Sequence, residues 1–344
     1  MDEIFLWDPA LLRRRIFLFY PECCLCQAGD ESTVFDQAGS PEGGTAPRVE
    51  RGNAPDAVPA PGVQARRAHL VFTYPSAEME QENMEQFATQ MEAARKGIVT
   101  EELKKVAAKE RMTTEELMPL VAEGKVVICA NKHHKCIDPE GVGSMLRTKI
   151  NVNLGISRDC KDYDVEMEKV MAAVDMGAHA IMDLSSHGNT IPFRRKLTAE
   201  CPAMIGTVPV YDSVIHYQRD LATLTAKDFI DVVRLHAEDG VDFVTLHCGI
   251  TRKTIEQIKK HKRKMNIVSR GGSLVFAWMC MTGEENPFYE YFDEILEICR
   301  EHDVTISLGD ACRPGCLADA SDVCQIEELV RLGELTKRAW ARDV

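Results

Sequence analysis

Residues 269–273 read Ser-Arg-Gly-Gly-Ser and combine several features of an anion-binding turn. They follow a predicted strand and precede an apolar helical run at residues 274–281. Paired glycines let backbone amides converge, the start of a helix carries partial positive charge, and Arg270 can add a charge-assisted hydrogen bond. A phosphate fits this pattern, and so does an ordinary glycine-rich turn without a ligand.

A second turn of this kind covers residues 310–315, with the sequence Asp-Ala-Cys-Arg-Pro-Gly. Arg313 can bind another side of the same anion or pair with Asp310, and the Pro-Gly pair restricts the turn. The spacing of Cys312 and Cys316 matches neither a zinc site nor a cluster-binding loop. The two turns are therefore candidates for one shared anion site.

Polar side chains also end the other predicted strands. In a barrel of parallel strands the carboxyl ends form the active-site face, although strands end in polar loops in any case. The residues concerned are Asn153, Asp183 with Ser185 and His187, Tyr211, and His247 with Cys248. A single histidine such as His247 is also a common hydrogen-bonded core residue. Two other basic segments, His133-His134 between lysines and residues 259–264, are expected to be exposed.

Strands and helices alternate along the chain. The candidate strands cover residues 149–154, 180–184, 204–210, 243–247, 266–269 and 304–308, and a helical stretch follows each. This order predicts an α/β fold with parallel strands and crossover helices. Because no Gly-x-Gly-x-x-Gly turn follows the first strand, a (β/α)8 TIM-type barrel is favoured over a dinucleotide-binding sheet. Only about six βα units are present, so we predict an incomplete barrel and a chain that is a fragment.

Local signals place several of the helices. Thr113 and Glu116 have the spacing of a capping box, and Gly177 and Gly240 are positioned to end helices. The predicted helices are residues 101–110, one beginning at 113, 164–176, 225–240 and 323–342. A short strand is predicted at residues 125–130, followed by a loop through Gly141 and Gly143.

Composition excludes several classes of protein. The chain has 344 residues with 41 basic and 54 acidic side chains, a net charge of −13, which argues against binding nucleic acid or anionic membranes. No segment reaches the roughly 18 apolar residues of a membrane span. Thirteen cysteines are too sparse for a disulfide scaffold and indicate a reduced, cytoplasmic compartment.

The chain divides into three parts. Residues 1–80 include a stretch rich in Gly, Pro and Ala, and we predict disorder there or a spurious N-terminal extension from start-site choice. Residues 81–146 are predicted to form a helical and β-hairpin lead-in. Residues 147–344 are predicted to form the partial, substrate-binding barrel.

Five stretches resemble the ThiC family of non-canonical radical S-adenosylmethionine enzymes. They are LRTKINVN at residues 146–153, IMDLS at 181–185, GTVPVY at 206–211, IVSRGGS at 267–273 and SLGD at 307–310. Their order and spacing are similar to the family from about residue 89 to residue 344. Residues 1–80 resemble nothing in that family.

The resemblance implies radical rearrangement of 5-aminoimidazole ribotide by a carbon-carbon lyase. The substrate contacts that it implies are Asn153, Met182, Tyr211, His247, Ser269, Arg270, Gly271, Asp310, Ala311, Cys312 and Arg313. It also implies a [4Fe-4S] cluster, S-adenosylmethionine, zinc, an electron donor and a homodimer. The cluster cysteines and metal-binding histidines of the family have no counterpart in this chain, so we expect the chain alone to be inactive, with no metal site and no assignable catalytic residue.

Two products are known within the family, and the motifs differ between the branches. The pyrimidine synthase of thiamine biosynthesis usually reads Leu-Ser-Thr-Gly-Gly and Gly-Asp-Gly-Leu-Arg-Pro-Gly, whereas this chain has LSSHGNT at residues 184–190 and GDACRPG at 309–315. These differences are more similar to the anaerobic paralogue that makes 5-hydroxybenzimidazole for cobamide synthesis, which is the product we prefer from the sequence. The thiamine pyrimidine synthase is the alternative, and a truncated, non-catalytic ribotide-binding protein is a third hypothesis from another class.

Overall fold

The structure, a computed structural model, describes residues 87–344. Three helices and two short strands form the first part of this region. The helices are α1 (Gln90–Arg95), α2 (Glu101–Glu110) and α3 (Thr114–Ala122), and the strands β1 (Val126–Ile128) and β2 (Gly141–Gly143) pair in antiparallel fashion. The capping box of Thr113 with Glu116 is confirmed at the start of α3. The expected loop through Gly141 and Gly143 is wrong, because these residues form β2.

A parallel sheet of five strands follows. In spatial order the strands are β3 (Asn151–Leu154), β4 (Ala180–Asp183), β5 (Met204–Thr207), β6 (Phe243–Leu246) and β7 (Thr305–Leu308). Each strand pairs in parallel with the next one in this order. The α/β class with a parallel sheet is therefore confirmed, while closure into a barrel stays a prediction.

Helices connect and cover these strands. They are α4 (Tyr163–Asp175), α5 (Ile191–Glu200), α6 (Pro209–Tyr217), α7 (Ala226–Glu238), α8 (Arg252–His261), α9 (Arg270–Thr282), α10 (Pro287–Glu290), α11 (Phe292–His302) and α12 (Val323–Trp340). The predicted helices at residues 164–176, 225–240 and 323–342 are confirmed within two residues at each end. Trp278, Phe229 and Phe288 are fully buried and pack edge to face in the core.

Two strand predictions need correction. Residues 266–269 do not form a strand, because β6 pairs directly with β7 from Phe243↔Thr305 onward and leaves no free edge between them. Asn266 instead has a left-handed backbone, with φ of 52°. The strand predicted at residues 204–210 ends at Thr207, because Pro209 begins α6. Proline lacks the N–H that a central strand requires and is well suited to the first turn of a helix.

The two faces of the sheet differ in character. Ile181, Ile205 and Val244 are fully buried on the face that packs under helices. The opposite face, here named the open face, carries register partners that include Asn153 with Met182 and Thr245 with Ser307. At the amino end of this face, Ala180 and Met204 pack against Cys129 from the lead-in part. The carboxyl end of the open face is where the predicted site residues lie.

His134 contradicts the expected exposure of the lysine-flanked histidines. The residue is 2% exposed, with Nδ1 2.7 Å from Asp242 Oδ2 and Nε2 2.8 Å from the Cys201 carbonyl oxygen. Burial alone would lower the pKa of His134, but the hydrogen bond and negative charge of Asp242 raise it. His133 is exposed, as predicted, and its Nε2 lies 3.1 Å from Nδ1 of His302.

Arg263, in the basic run at residues 259–264, also departs from the expected solvated face. Its guanidinium is buried and binds Asp322 Oδ2 at 2.7 Å. The lysines of the same run are exposed, as predicted.

Two further predictions concern residues 1–80 and membrane-spanning segments. Disorder or spurious translation of residues 1–80 lies outside the described residues. Among residues 87–344, no helix is long and apolar enough to cross a membrane.

Candidate functional site

His247 is the centre of a buried cluster at the carboxyl end of β6. It follows the strand directly, is 3% exposed, and its Nε2 lies 2.9 Å from Ser269 Oγ. Ser269 is the N-cap of α9, and its Oγ accepts a hydrogen bond from the Gly272 N–H at 3.2 Å. The capping preference of serine thus places the Ser-Arg-Gly turn against the histidine.

The hydrogen-bonding pattern leaves one ring nitrogen of His247 available. Because Ser269 Oγ already accepts the Gly272 N–H, it can donate its own proton to Nε2, and Nδ1 then carries the imidazole proton. Nδ1 has no hydrogen-bond partner among the described residues, although the atom is buried. Burial, together with the positive charge of Arg313, lowers the pKa of His247 to about 4. A neutral ring with an unused N–H donor is suited to bind a polar atom of a ligand.

Two glycines make room for this ring. A Cβ on Gly271 would lie 2.3 Å from Cε1 of His247, and a Cβ on Gly309 would lie 3.1 Å from its Nε2. The backbones of α9 and of the segment after β7 therefore approach the imidazole closely. The sequence suggested that Gly271 serves an anion, whereas its geometry shows that the missing side chain also leaves space for the histidine.

A third glycine brings the two predicted turns together. A Cβ on Gly272 would lie 2.5 Å from the Cβ of Ala311, so the start of α9 packs against the Asp-Ala-Cys-Arg turn. Ala311 and Cys312 are fully buried there. Ser269, Gly271, Ala311 and His247 thus form one contiguous group.

Arg270 and Tyr211 add a cation-π contact to this group. The guanidinium carbon of Arg270 lies 4.2 Å from the centroid of the Tyr211 ring, which α6 carries. Such a contact orients both the planar cation and the aromatic ring. It links the α6 side of the site to the α9 side.

Asp310 and Arg313 form the exposed rim of the group. Arg313 Nη1 lies 3.4 Å from Asp310 Oδ1, and both side chains are about half exposed, at 48% and 60%. The Arg–Asp pair left open by the sequence is therefore present, but an exposed pair of this kind adds at most about 1 kcal/mol. It leaves the guanidinium accessible to a competing anion.

Asn153 and Met182 lie on the same open face but farther along the sheet. They are register partners on β3 and β4, and Asn153 is exposed while Met182 is 7% exposed. Three strand spacings of about 4.8 Å separate β3 from β6, which corresponds to about 14 Å. The strands β4 and β5 thus separate Asn153 from His247 along the sheet.

Several strand-end residues serve the fold instead. Asp183 belongs to the helix-covered side and accepts hydrogen bonds from the N–H and Oγ of Ser185. Burial raises the pKa of Asp183 to about 6. Burial also raises the pKa of the Cys312 thiol well above neutrality, so this thiol is protonated. Within residues 87–344, no group of three His, Cys, Asp or Glu side chains is arranged to hold a metal ion.

Glu328 is a buried carboxyl group that the sequence reasoning missed. It is 2% exposed, and its two oxygens accept hydrogen bonds from the N–H groups of Ala311 and Cys312. A signal for it is present in the sequence: Glu328 stands in the apolar stripe of α12, between Cys324 and Leu335, which are both buried. A carboxylate at such a position is typical of a group with a dedicated partner.

Comparison with known proteins identifies relatives over most of the chain. A family model described as the Radical SAM ThiC family matches residues 89–344. Proteins named phosphomethylpyrimidine synthase are 60% identical over 258 residues in Clostridium novyi (strain NT) and in Pelotomaculum thermopropionicum, and 59% identical in Clostridium botulinum (strain 657 / Type Ba4). The matched region is 75% of this chain, and the chain spans about three fifths of the length of these relatives.

These names bear on the product predicted from the sequence. All three relatives carry the name of the pyrimidine synthase, and none of them carries the name of a benzimidazole synthase. The preference for 5-hydroxybenzimidazole is therefore not supported, and the thiamine alternative is the better supported of the two. That preference rested on a few residues in two turns, at 185–189 and 311–312. The identity of 60% over 258 residues to a pyrimidine synthase is the stronger observation. With the family model covering residues 89–344, the chain belongs to the Radical SAM ThiC family.

Proposed function

We propose that this chain forms the ribotide pocket of a phosphomethylpyrimidine synthase, and that its substrate is 5-aminoimidazole ribotide. The observation that carries the proposal is the convergence of the Ser-Arg-Gly and Asp-Ala-Cys-Arg turns on His247. The names of the relatives support the pyrimidine product and its place in thiamine biosynthesis.

The charged end of such a ligand has a suitable place at the start of α9. This helix is 13 residues long, and its first turn contains Arg270, Gly271 and Gly272. The N-terminus of a helix attracts anions through its unpaired N–H groups and its dipole. Arg313 stands at the rim of the same group, close enough to His247 for its charge to lower the histidine pKa. A ribotide phosphate there would meet two guanidinium groups.

The neutral part of the ligand would then lie along the open face. His247 Nδ1 offers one N–H donor at the carboxyl end of β6, and Asn153 offers amide groups on β3, three strands along the sheet. The phosphate would bind at the start of α9, beside His247, and the heterocycle would lie toward Asn153. We propose that Met182 and Tyr211 contribute apolar and aromatic surface between them.

The family name implies S-adenosylmethionine and a [4Fe-4S] cluster, and the described residues do not fit either a cluster or zinc. Such a cluster requires three or four convergent thiolates. No three of the described cysteines converge, and burial raises the pKa of several of them, including Cys248 and Cys299. We therefore propose that this part of the protein binds the substrate. We also propose that the whole protein is a lyase, uses an electron donor and forms a homodimer.

Replacement of Arg313 tests the ribotide site. In Arg313→Ala, the loss of a charge-assisted hydrogen bond should weaken ribotide binding by about 1.5 to 3 kcal/mol. Calorimetric titration with 5-aminoimidazole ribotide measures this change. Arg342→Ala is the matched control, because Arg342 is also 48% exposed but pairs with Glu297 on α11. Equal affinity in both variants would remove Arg313 from the site, and absence of ribotide binding by the unmodified chain would refute the proposed function.

The product is tested separately on an intact relative. Anaerobic reaction of a full-length homologue, reconstituted with iron and sulfide, should yield the aminopyrimidine phosphate by mass analysis. A benzimidazole product would restore the alternative that the sequence motifs favoured.

A further inference from the structure

Glu328 accepts hydrogen bonds from the backbone of the Asp-Ala-Cys-Arg turn. The Ala311 N–H donates to Oε1 at 2.8 Å, and the Cys312 N–H donates to Oε2 at 2.6 Å. The side chain reaches these groups by passing over Gly249, where a Cβ would lie 2.6 Å from its Cγ. One carboxylate from the middle of α12 thus satisfies two consecutive amides of a turn that belongs to another segment.

Arg263 holds the other side of the same peptide. Its Nη2 donates to the Cys312 carbonyl oxygen at 2.7 Å, and its Nε binds Asp322 at 2.7 Å. Both the N–H and the C=O of Cys312 are therefore bound by buried charged side chains. Neither Glu328 nor Arg263 is exposed to a ligand, since both are more than 90% buried.

Glu328 and Arg263, together named the clamp, set the position of the residues that flank the dipeptide 311–312. Asp310 and Arg313 stand immediately before and after the clamped dipeptide, and Ala311 packs against Gly272 at the start of α9. A shift of the dipeptide would move Arg313 relative to His247. Small displacements of ligand-binding groups have large effects on affinity, because charged hydrogen bonds depend strongly on geometry.

We propose that Glu328 is a positioning residue for ribotide binding, which fixes the backbone at residues 311–312 so that Arg313 faces the anion site. The inference rests on the proposed function and deepens it. It predicts that residues 311–312 lose their rigidity when Glu328 can no longer accept two hydrogen bonds.

The protonation of Glu328 adds a pH dependence to this role. Burial raises its pKa to about 7, although the hydrogen bonds from Cys312 and Ala311 oppose the shift. Asp310 raises the value further and Arg263 lowers it. The thiols of Cys248 and Cys312, which also face this carboxyl group, stay protonated because burial raises their own pKa values. A carboxylate accepts both amide protons, whereas a protonated carboxyl group turns its O–H toward one of them, so the clamp is complete only above about pH 7.

The test replaces Glu328 by its neutral isostere in the full chain. In Glu328→Gln, the side-chain NH2 faces one of the two amides, and protection of the Ala311 and Cys312 amides against hydrogen exchange should fall about tenfold or more. The dissociation constant for 5-aminoimidazole ribotide, measured by calorimetry at pH 8, should rise about tenfold. Glu334→Gln is the matched control on α12, because Glu334 is 57% exposed and pairs with Arg331 on its own helix. It should leave both quantities unchanged.

A pH series separates positioning from mere stabilisation of the fold. In the unmodified chain, protection factors at residues 311 and 312 should fall as the pH is lowered from 8 to 6, while Glu328→Gln should show no such change. The series also keeps the proposal testable if the variant fails to fold, since the unmodified chain carries the dependence. Constant protection across this range would overturn the pH dependence, and equal protection in Glu328→Gln and the unmodified chain at pH 8 would overturn the clamp.

The outcomes distinguish this inference from the proposed function. If the unmodified chain does not bind the ribotide, the proposed function fails, and the positioning role fails with it even where the exchange data show the clamp. If the unmodified chain binds the ribotide and Glu328→Gln binds it equally well, only the positioning role is overturned.

Discussion

The close approach of Gly271 to His247 allows one substitution to be worked out in detail. In Gly271→Ala, the new Cβ would lie 2.3 Å from Cε1 and 2.6 Å from Nδ1 of the imidazole. The ring cannot retreat freely, because the backbone at Gly309 lies against its other edge. The ring must therefore turn, and its 2.9 Å hydrogen bond with Ser269 Oγ is lost.

The magnitude follows from two contributions. Overpacking of a buried site costs about 1 to 3 kcal/mol, and a lost hydrogen bond costs about 0.5 to 1.5 kcal/mol. We expect Gly271→Ala to lower the free energy of unfolding by about 1.5 to 4.5 kcal/mol. Its backbone φ is not in the left-handed region, so steric overlap and not backbone strain is the cause.

The assay is urea unfolding, with Gly333→Ala as control. Gly333 lies in α12 and is exposed, and a Cβ added there would meet no atom within 4 Å. The control should be stabilised by about 0.5 to 1 kcal/mol, because alanine is a better helix former than glycine. If Gly271→Ala were as stable as Gly333→Ala, the close packing of the α9 start on the imidazole would be wrong.

Two further predictions concern the ionisable side chains His134 and Asp303. His134→Ala leaves Asp242 buried without its charged partner and should lower the free energy of unfolding by about 3 to 5 kcal/mol. His216 is exposed, so the control His216→Ala should have little effect. Equal unfolding midpoints of the two variants would contradict the buried pair. Burial raises the pKa of Asp303 from 3.8 to about 8, so the folded state holds its proton more tightly than the unfolded chain does. Stability should therefore decrease as the pH rises from about 4 to 8, and Asp303→Asn should flatten that part of the profile. Identical profiles of the two proteins would contradict the raised pKa of Asp303.

Secondary structure was predictable wherever local chemistry decides it. The capping box at Thr113, the helix at residues 101–110 and the strands β4, β6 and β7 follow from capping, helical spacing and apolar runs. The strand predicted at residues 266–269 failed because its apolar and polar pattern says nothing about which sheet edges are free. The edge of β6 next to which it would lie is paired with β7, beginning at Phe243 and Thr305.

Exposure of charged side chains was the least predictable feature. His134 and Arg263 stand in basic stretches that local sequence describes as solvated, yet each is buried against a carboxylate from a distant segment. Asp242 lies 108 residues from His134, and Asp322 lies 59 residues from Arg263. Such partners are visible only when the fold brings the segments together.

The sequence by itself determined the class of the fold, the family, and the two turns that carry the candidate site, because capping preferences, apolar periodicity and motif order are local properties of the chain. The tertiary structure decided how those turns meet: on one buried histidine, with Gly271 and Gly309 leaving room for its ring and with Glu328 fixing the peptide at residues 311–312. The physical reason is that steric space and hydrogen-bond pairing in a packed interior depend on residues distant in the chain, so no local pattern encodes them.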